Sequence, residues 1–135
     1  MTDIIYVGGP YSNNAPISGG PSSAAKRVAR FNAVTELARQ LIEEGKFVYS
    51  PLTMTHPIDI RMKHDPGSDF WVDFDETFME HCSSMMVLML PGWDESSGLK
   101  REIKFFESRK LPVEYLEPSE VGIDDVDPDF AEAFR

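Results

Sequence analysis

The sequence is poor in cysteine, in basic residues and in long apolar runs, and each shortage excludes a class of protein. A single cysteine among 135 residues cannot form an intramolecular disulfide, so we expect the reducing cytoplasm as the compartment. Lys and Arg number 13 against 23 acidic residues, and the net charge of −10 argues against nucleic-acid binding. No apolar run approaches the roughly 20 residues of a membrane span, and the N-terminus lacks the basic region of a secretion signal. We therefore expect no membrane partner.

Histidine is also scarce, and its spacing argues against a metal site. His56, His64 and His81 follow no ligand spacing such as H-x-x-x-H. We therefore expect neither a metal ion nor another cofactor. His56 follows a predicted strand and is a candidate for the wall of a ligand site, although a loop histidine is more commonly plain polar surface.

Apolar strand patterns alternate with helical patterns along the chain. The pattern predicts strands at 3–8, 46–52, 85–90 and 111–116, with a helix that ends near Gly45 and helices over 70–82, with Asp69 as N-cap, and 97–110. Residues 53–69 indicate a loop or a short helix. This order predicts a single α/β domain with a doubly wound, flavodoxin- or Rossmann-like sheet of four to five mainly parallel strands and helices on both faces. A fifth strand would lie between 52 and 69 or in the tail.

The domain should extend over residues 1–116, and residues 117–135 form an acidic C-terminal arm. A chain of 135 residues is the length of one compact domain. The arm has interrupted periodicity and many turn residues, so a solubilising role is its simplest interpretation. In a doubly wound sheet the ligand lies beyond the carboxyl ends of the strands. That rule selects four segments: the loop after Gly8, the loop after Ser50, the start of the partner face of the helix over 70–82, and the segment 91–98.

Asp75 is a carboxylate on the apolar face of a predicted helix. Its helical neighbours are all apolar: Trp71, Val72, Phe78, Met79 and Cys82. A buried carboxylate costs several kcal/mol unless it is paired, or else its pKa rises and it is protonated. Asp75 could cap the backbone of a neighbouring loop or act in catalysis, and the helical pattern alone supports both.

Glu102 lies at the edge of the apolar stripe of the last helix. Viewed alone, it would be expected to form an edge salt bridge with one of its basic neighbours: Lys100, Arg101 or Lys104. Its context suggests more, because Ser96, Ser97 and Gly98 begin the same helix. Free backbone N–H groups and the helix dipole favour an anion such as phosphate there, although a serine is also an ordinary N-cap.

Three motifs carry a resemblance to a known superfamily: IYVGGPY at 5–11, FDETFMEHCSSMMVL at 74–88 and LPGWDESSGLKRE at 90–102. On these motifs the chain resembles the nucleoside 2-deoxyribosyltransferase-like superfamily, near the 2'-deoxynucleoside 5'-phosphate N-hydrolases. The resemblance implies that Glu102 is the nucleophile and that Asp75 meets the base. It also implies that Tyr6 lies near the nucleophile and that Gly8 and Gly9 form the turn that approaches the substrate.

The resemblance also implies a substrate. Relatives that act on free nucleosides have an aspartate six residues before the nucleophile, whereas the monophosphate hydrolases have a serine, as here at Ser96. We therefore expect an N-glycosidic bond hydrolase or transferase that acts on a (deoxy)nucleoside 5'-monophosphate, in a homodimer or higher homo-oligomer. Ser96, Ser97 and Gly98 would hold the phosphate, and Tyr11 or Trp93 would stack on the base.

Two alternatives stay open. Lys100 and Lys104 stand where relatives usually have glycines close to the substrate, which favours a nucleotide-binding or sensing module that has lost catalysis. A phosphoribohydrolase of the cytokinin-activating type also has a glycine-rich turn and a helical glutamate. Its usual motif is PGGxGTxxE. The segment here, PGWDESSGLKRE, is longer and has fewer glycines.

Overall fold

Four parallel strands form the centre of the structure, a computed structural model that describes residues 2–11 and 23–123. The strands are β1 (Ile4–Gly8), β2 (Phe47–Tyr49), β3 (Ser84–Leu88) and β4 (Val113–Leu116). Their order across the sheet is β2-β1-β3-β4, and each neighbouring pair is parallel. The predicted α/β class and the parallel sheet are confirmed.

Four helices cover the two faces of this sheet. They are α1 (Ser23–Glu43), α2 (Pro51–Asp59), α3 (Ser68–Met79) and α4 (Ser97–Ser108). Short 3-10 helices follow at Trp93–Glu95 and Pro118–Val121. Among the described residues, no helix is long and apolar enough to cross a membrane.

The core consists of two layers because successive side chains of a strand point to opposite faces. Tyr6 of β1 packs with Leu99 and Phe106 of α4 in one layer, which also contains residues of α3. Val7, the next residue of β1, packs with Val34 of α1 in the other layer. The sheet is therefore doubly wound, with α1 and α2 on one face and α3 and α4 on the other.

The structure corrects two details of the predicted elements and decides a third. β2 ends at Tyr49, because Pro51 begins α2, at the helical position where a missing N–H costs nothing. Residues 51–59 are thus the short helix that was one of two expectations for this region. The N-cap of α3 is Gly67, and the predicted cap Asp69 lies in the first turn, where the helix dipole favours its charge.

No fifth strand lies in the described residues 52–69 or 117–123. The remaining candidate region, residues 124–135, lies outside the described residues. The beginning of the C-terminal arm is described. Ile123 is buried in the α1 layer, and the carbonyl of Val121 accepts a hydrogen bond of 2.8 Å from Gln40 Nε2. This part of the arm therefore packs against the domain.

The strand order reverses between β1 and β3, and a crevice opens at the carboxyl ends of these two strands. Gly8 and Gly9 end β1 at this point. A Cβ on Gly8 would lie 2.5 Å from Met85 Cε and 3.1 Å from Leu99 Cδ1, and one on Gly9 would lie 2.9 Å from Val34 Cγ1. The two glycines therefore allow both helix layers to approach the strand end, where the candidate site lies.

Candidate active site

A cavity of about 420 Å³ opens at the carboxyl ends of the central strands. A volume of this size is typical of small-molecule sites. The walls come from the loop after β1 and from all four helices. The residues that line it are Gly9, Tyr11, Arg27, Pro51, Leu52, Thr55, Asp59, Asp65, Ser68, Trp71, Asp75, Ser96, Gly98, Leu99, Arg101 and Glu102.

Glu102 lies in the wall of this cavity and is only 8% exposed. Tyr6 Oη donates a buried hydrogen bond to its Oε2. Glu102 forms no salt bridge with any described residue, so the alternative of an edge salt bridge is not supported. Lys100 and Lys104 are exposed, and neither lines the cavity. Glu102 is therefore a buried cavity carboxylate rather than a solvated helix charge.

Tyr6 is a rigid partner for this carboxylate. It is fully buried in the middle of β1, and its ring lies 6.0 Å from that of Tyr49 and 5.6 Å from that of Phe106. Burial, together with the negative charge of Glu102, raises the pKa of Tyr6 well above its ordinary value. The phenol therefore keeps its proton and acts as a donor, which leaves Oε1 of Glu102 as the oxygen without the Tyr6 bond.

Asp75 extends from α3 into the same cavity. Its side chain is 18% exposed, and its Oδ2 lies 3.9 Å from Arg101 Nη2, a long ion pair. Burial raises the pKa of Asp75 to about 6, against the opposing effect of the Arg101 cation. Within the described residues Asp75 caps no backbone N–H, so the loop-capping interpretation has no support.

The charge of Asp75 acts on the Glu102 carboxyl. Burial and the charge of Asp75 raise the pKa of Glu102 while the Tyr6 hydrogen bond and Arg101 lower it, and the net pKa is about 7. Interacting groups of this kind titrate as a pair. Between about pH 6 and 7 the pair therefore holds one proton, and the higher pKa of Glu102 places that proton more on Glu102 than on Asp75.

The N-terminus of α4 forms another part of the wall. Ser96 is buried and its Oγ accepts a hydrogen bond of 3.2 Å from the Leu99 amide, so it is the N-cap of the helix. The amides of Ser97 and Gly98 precede the first intrahelical bond and have no partner within the helix. Gly98 lines the cavity, and a Cβ placed on it would meet no atom within 4 Å. Ser97 is exposed and is not among the lining residues.

The remaining predicted residues divide between the cavity and its surroundings. Tyr11 and Gly9 line it, whereas Gly8 lies behind the wall in the packing against α4. His56 is buried behind Tyr11 and hydrogen-bonds its hydroxyl. Trp93 does not line the cavity, because its ring packs 5.7 Å from that of Tyr115 on β4.

Several wall residues are not among the predicted site residues. On α4, Arg101 shares a helical face with Gly98, and on α3, Trp71 shares one with Asp75, so the helical period could have identified both. Arg27 of α1 and Asp59 of α2 give no such signal, because only the packing of these helices brings them to the cavity. Among the described residues, no group of His, Cys, Asp and Glu could hold a metal ion.

The chain matches a protein family over most of its length. Residues 3–117 match the family described as Domain of unknown function (DUF1937). The matched range contains every lining residue of the cavity. No curated protein matches the chain. The match itself names no activity, so the chemistry must be argued from the site.

The buried Glu102 carboxyl predicts a pH-dependent stability difference. Because its folded-state pKa of about 7 exceeds the ordinary 4.5, the stability linked to its proton is fully present below about pH 4.5 and is lost as the pH rises through 7. Glu102→Gln has no proton to lose. Its free energy of unfolding should exceed that of the wild type by about 1–3 kcal/mol near pH 8, with a smaller or reversed difference near pH 5.

Denaturant unfolding at both pH values measures this difference. Glu107→Gln, an exposed glutamate of the same helix, is the matched control and should show no pH-dependent difference. An equal difference at both pH values for Glu102→Gln would contradict the assignment of a raised pKa.

Proposed function

We propose that this chain, which belongs to the DUF1937 family, is an enzyme that cleaves the N-glycosidic bond of a (deoxy)nucleoside 5'-monophosphate, by hydrolysis or by transfer to a second base. Glu102 is the nucleophile and Asp75 is the acid. The observation that carries the proposal is the pair of carboxyls in one cavity, one of them buried and bonded to a buried tyrosine. This is also the arrangement that the nucleoside 2-deoxyribosyltransferase-like resemblance implies.

The reactive form of the pair has its single proton on Asp75, and it is the minor form because Glu102 has the higher pKa. In that form ionised Glu102 attacks C1' of the sugar through Oε1, since Oε2 accepts the Tyr6 hydrogen bond. The C1'–N bond breaks, its electron pair leaves with the base, and Asp75 gives its proton to that base. The product is a glycosyl ester on Glu102 and a free base. Retaining glycosidases use the same division of roles between two carboxyl groups.

In the second step, water attacks C1' and gives its proton to the Asp75 carboxylate, which restores the acid. The bond between C1' and Glu102 breaks, and the electron pair returns to the carboxylate. Tyr6 is already placed to stabilise that returning charge. In a transferase, a nitrogen of a second base would replace the water. The end products of hydrolysis are the base and the sugar phosphate.

The 5'-phosphate binds at the beginning of α4 in this proposal. Unpaired amides of the first helical turn favour an anion, and Gly98 leaves the approach to them open. Ser96 caps the helix without adding a negative charge, whereas an aspartate at the same position would repel a phosphate. Arg101 and Arg27 add two cations to the cavity wall of a protein with a net charge of −10.

A non-catalytic nucleotide sensor is the second candidate. It rests on Lys100 and Lys104, which stand where relatives usually have glycines. Both side chains are exposed, and neither lines the cavity. The described geometry therefore does not narrow the substrate site at these positions, which favours the enzyme over the sensor.

The single cysteine of the chain, Cys82, is free and buried, which supports a reducing cytoplasm as the compartment.

A homodimer is part of the proposal, and an exposed aromatic band supports it. The band contains Phe70, Phe74 and Phe78 of α3, Tyr49 of β2 and Met54 of α2. Successive rings lie 5.9, 5.1 and 4.6 Å apart, and Tyr49 Oη lies 3.9 Å from Met54 Sδ. Phe70 is 47% exposed and Met54 41%. Contiguous exposed apolar surface of this kind marks protein interfaces.

The first prediction from this function concerns the nucleophile. Wild-type protein incubated with a panel of deoxynucleoside and nucleoside monophosphates should release free base, detected by chromatography. Glu102→Ala should reduce kcat at least about a thousandfold, because the covalent step is lost. Asp75→Asn should mainly lower kcat for substrates with poor leaving bases.

The pH profile of kcat/KM for the wild type should be bell-shaped, with limbs near pH 6 and 7.

Undiminished turnover in a folded Glu102→Ala protein would refute the nucleophile. Binding of a monophosphate by the wild type without base release would favour the sensor instead. Lys100→Ala is the matched control, since its side chain is exposed on the same helix and lies outside the cavity wall.

The second prediction concerns the phosphate. Ser96→Asp preserves the N-cap, since serine and aspartate cap helices about equally well. The added carboxylate should raise KM for a nucleoside monophosphate about tenfold or more, with a much smaller effect on the unphosphorylated nucleoside. Ser108→Asp, the same substitution at the exposed far end of α4, is the control. Equal effects on both substrates would place the phosphate elsewhere.

The third prediction concerns the aromatic band. Light scattering with size-exclusion chromatography should give the mass of a dimer for the wild type. Phe70→Ser should give a monomer, because it removes an exposed ring without opening the core. Tyr115→Ser, at an exposed position on the opposite edge strand, should stay dimeric. A monomeric wild type, or a dimer insensitive to Phe70→Ser, would contradict this interface.

A further inference from the structure

Three hydrogen bonds converge on Tyr11, the cavity residue that follows β1. Its carbonyl oxygen accepts a bond of 2.9 Å from Arg30 Nη1. Its hydroxyl lies 2.7 Å from His56 Nδ1 and 2.9 Å from Asp59 Oδ2. Both the main chain and the far end of the side chain are thus fixed, although the residue itself lies at a cavity wall.

The directions of these bonds follow from counting protons. A phenol has one proton, and the Asp59 carboxylate can only accept, so Tyr11 donates to Asp59. The Tyr11 oxygen must then accept from His56, which requires a proton on Nδ1. Burial lowers the pKa of His56, so its ring is neutral at neutral pH and Nε2 carries no proton. His56 is therefore confined to one tautomer.

The residues of this network come from the loop after β1, from α1 and α2, and from the loop after β3. His56 and Asp59 are three residues apart on α2, so they present to Tyr11 from one helical face. Phe31 of α1 packs against the His56 ring at 4.6 Å. Arg30 of α1 also donates a bond of 3.0 Å to the Pro91 carbonyl, in the loop that follows β3. Tyr11 is therefore part of a connected network around the mouth of the cavity.

We propose that His56 and Asp59 are positioning residues that hold Tyr11 as the fixed aromatic surface on which the nucleotide binds. This inference rests on the proposed function and extends it to the selection of substrate. A ring held before the ligand arrives loses less conformational entropy on binding, and therefore gives higher affinity. Neither residue acts in bond cleavage. The Arg27 guanidinium lies 5.9 Å from the centre of the ring, so an anionic ligand beside Tyr11 would also meet a cation.

The experiment compares alanine with asparagine at both positions. His56→Ala and Asp59→Ala each remove a hydrogen bond, and each should raise KM for the monophosphate about three- to tenfold while kcat changes less than about twofold. His56→Asn supplies an amide donor near the place of Nδ1, and Asp59→Asn keeps an acceptor oxygen, so each should recover much of the lost affinity. Tyr115→Phe, which removes a hydroxyl on β4 away from the cavity, is the matched control.

A second measurement does not depend on turnover. In ¹⁵N-labelled protein, the ring nitrogens of His56 should show a protonated Nδ1 and an unprotonated Nε2, and Tyr11→Phe should remove this preference. A proton on Nε2 in the wild type would overturn the network. So would equal KM values in the alanine variants and the wild type, or a fall confined to kcat. A wild type that neither binds nor cleaves any monophosphate would overturn this inference together with the proposed function.

Discussion

The hydrogen bond from Tyr6 to Glu102 joins the central strand of the sheet to the helix beside it, and the site depends on it. Glu102 is almost completely buried, and a carboxyl in that setting needs a partner. Tyr6 can be that partner because its ring is fixed among other rings and has no exposed surface. Gly8 lies two residues further along β1, where a Cβ would lie 2.5 Å from Met85 Cε of β3 and 3.1 Å from Leu99 Cδ1 of α4, so a larger residue would require these side chains to move. The glycine, the tyrosine and the glutamate therefore form one arrangement, in which close helix packing places a carboxyl at the end of the strand.

This arrangement is poorly explained by stability alone. Burial raises the pKa values of both Glu102 and Asp75, which means that the folded protein holds their charges at a cost above neutral pH. An apolar residue at either position would avoid that cost. Two such groups in one cavity, beside the open N-terminus of α4, form the kind of destabilised arrangement that is concentrated at functional sites. The same reasoning does not apply to Cys82, whose burial in the core is ordinary for a free thiol.

The periodicity of the sequence was enough to predict the fold, because strands buried on both faces and amphipathic helices leave strong local patterns. Local pattern was insufficient where tertiary packing decides the outcome. The helical wheel placed Glu102 at an edge, and only the approach of β1, 96 residues away, buries it. Trp93 was expected near the ligand, but a short 3-10 helix places its ring against Tyr115. Pro51 correctly ended a strand, while its second role as the beginning of α2 depended on what followed.

The cavity walls divide along the topology of the sheet. Glu102, Asp75 and the beginning of α4 belong to the elements that cover one face, together with β3. Tyr11, His56 and Asp59 belong to the loop after β1 and to α2, which cover the other face. The two groups meet only at the point where the strand order reverses. Substitutions on α2 can therefore change how Tyr11 is held, while the carboxyl pair is held by α3, α4 and β1. In the proposed enzyme, substrate selection and bond cleavage would be supported by different helix layers, so one could vary while the other is kept.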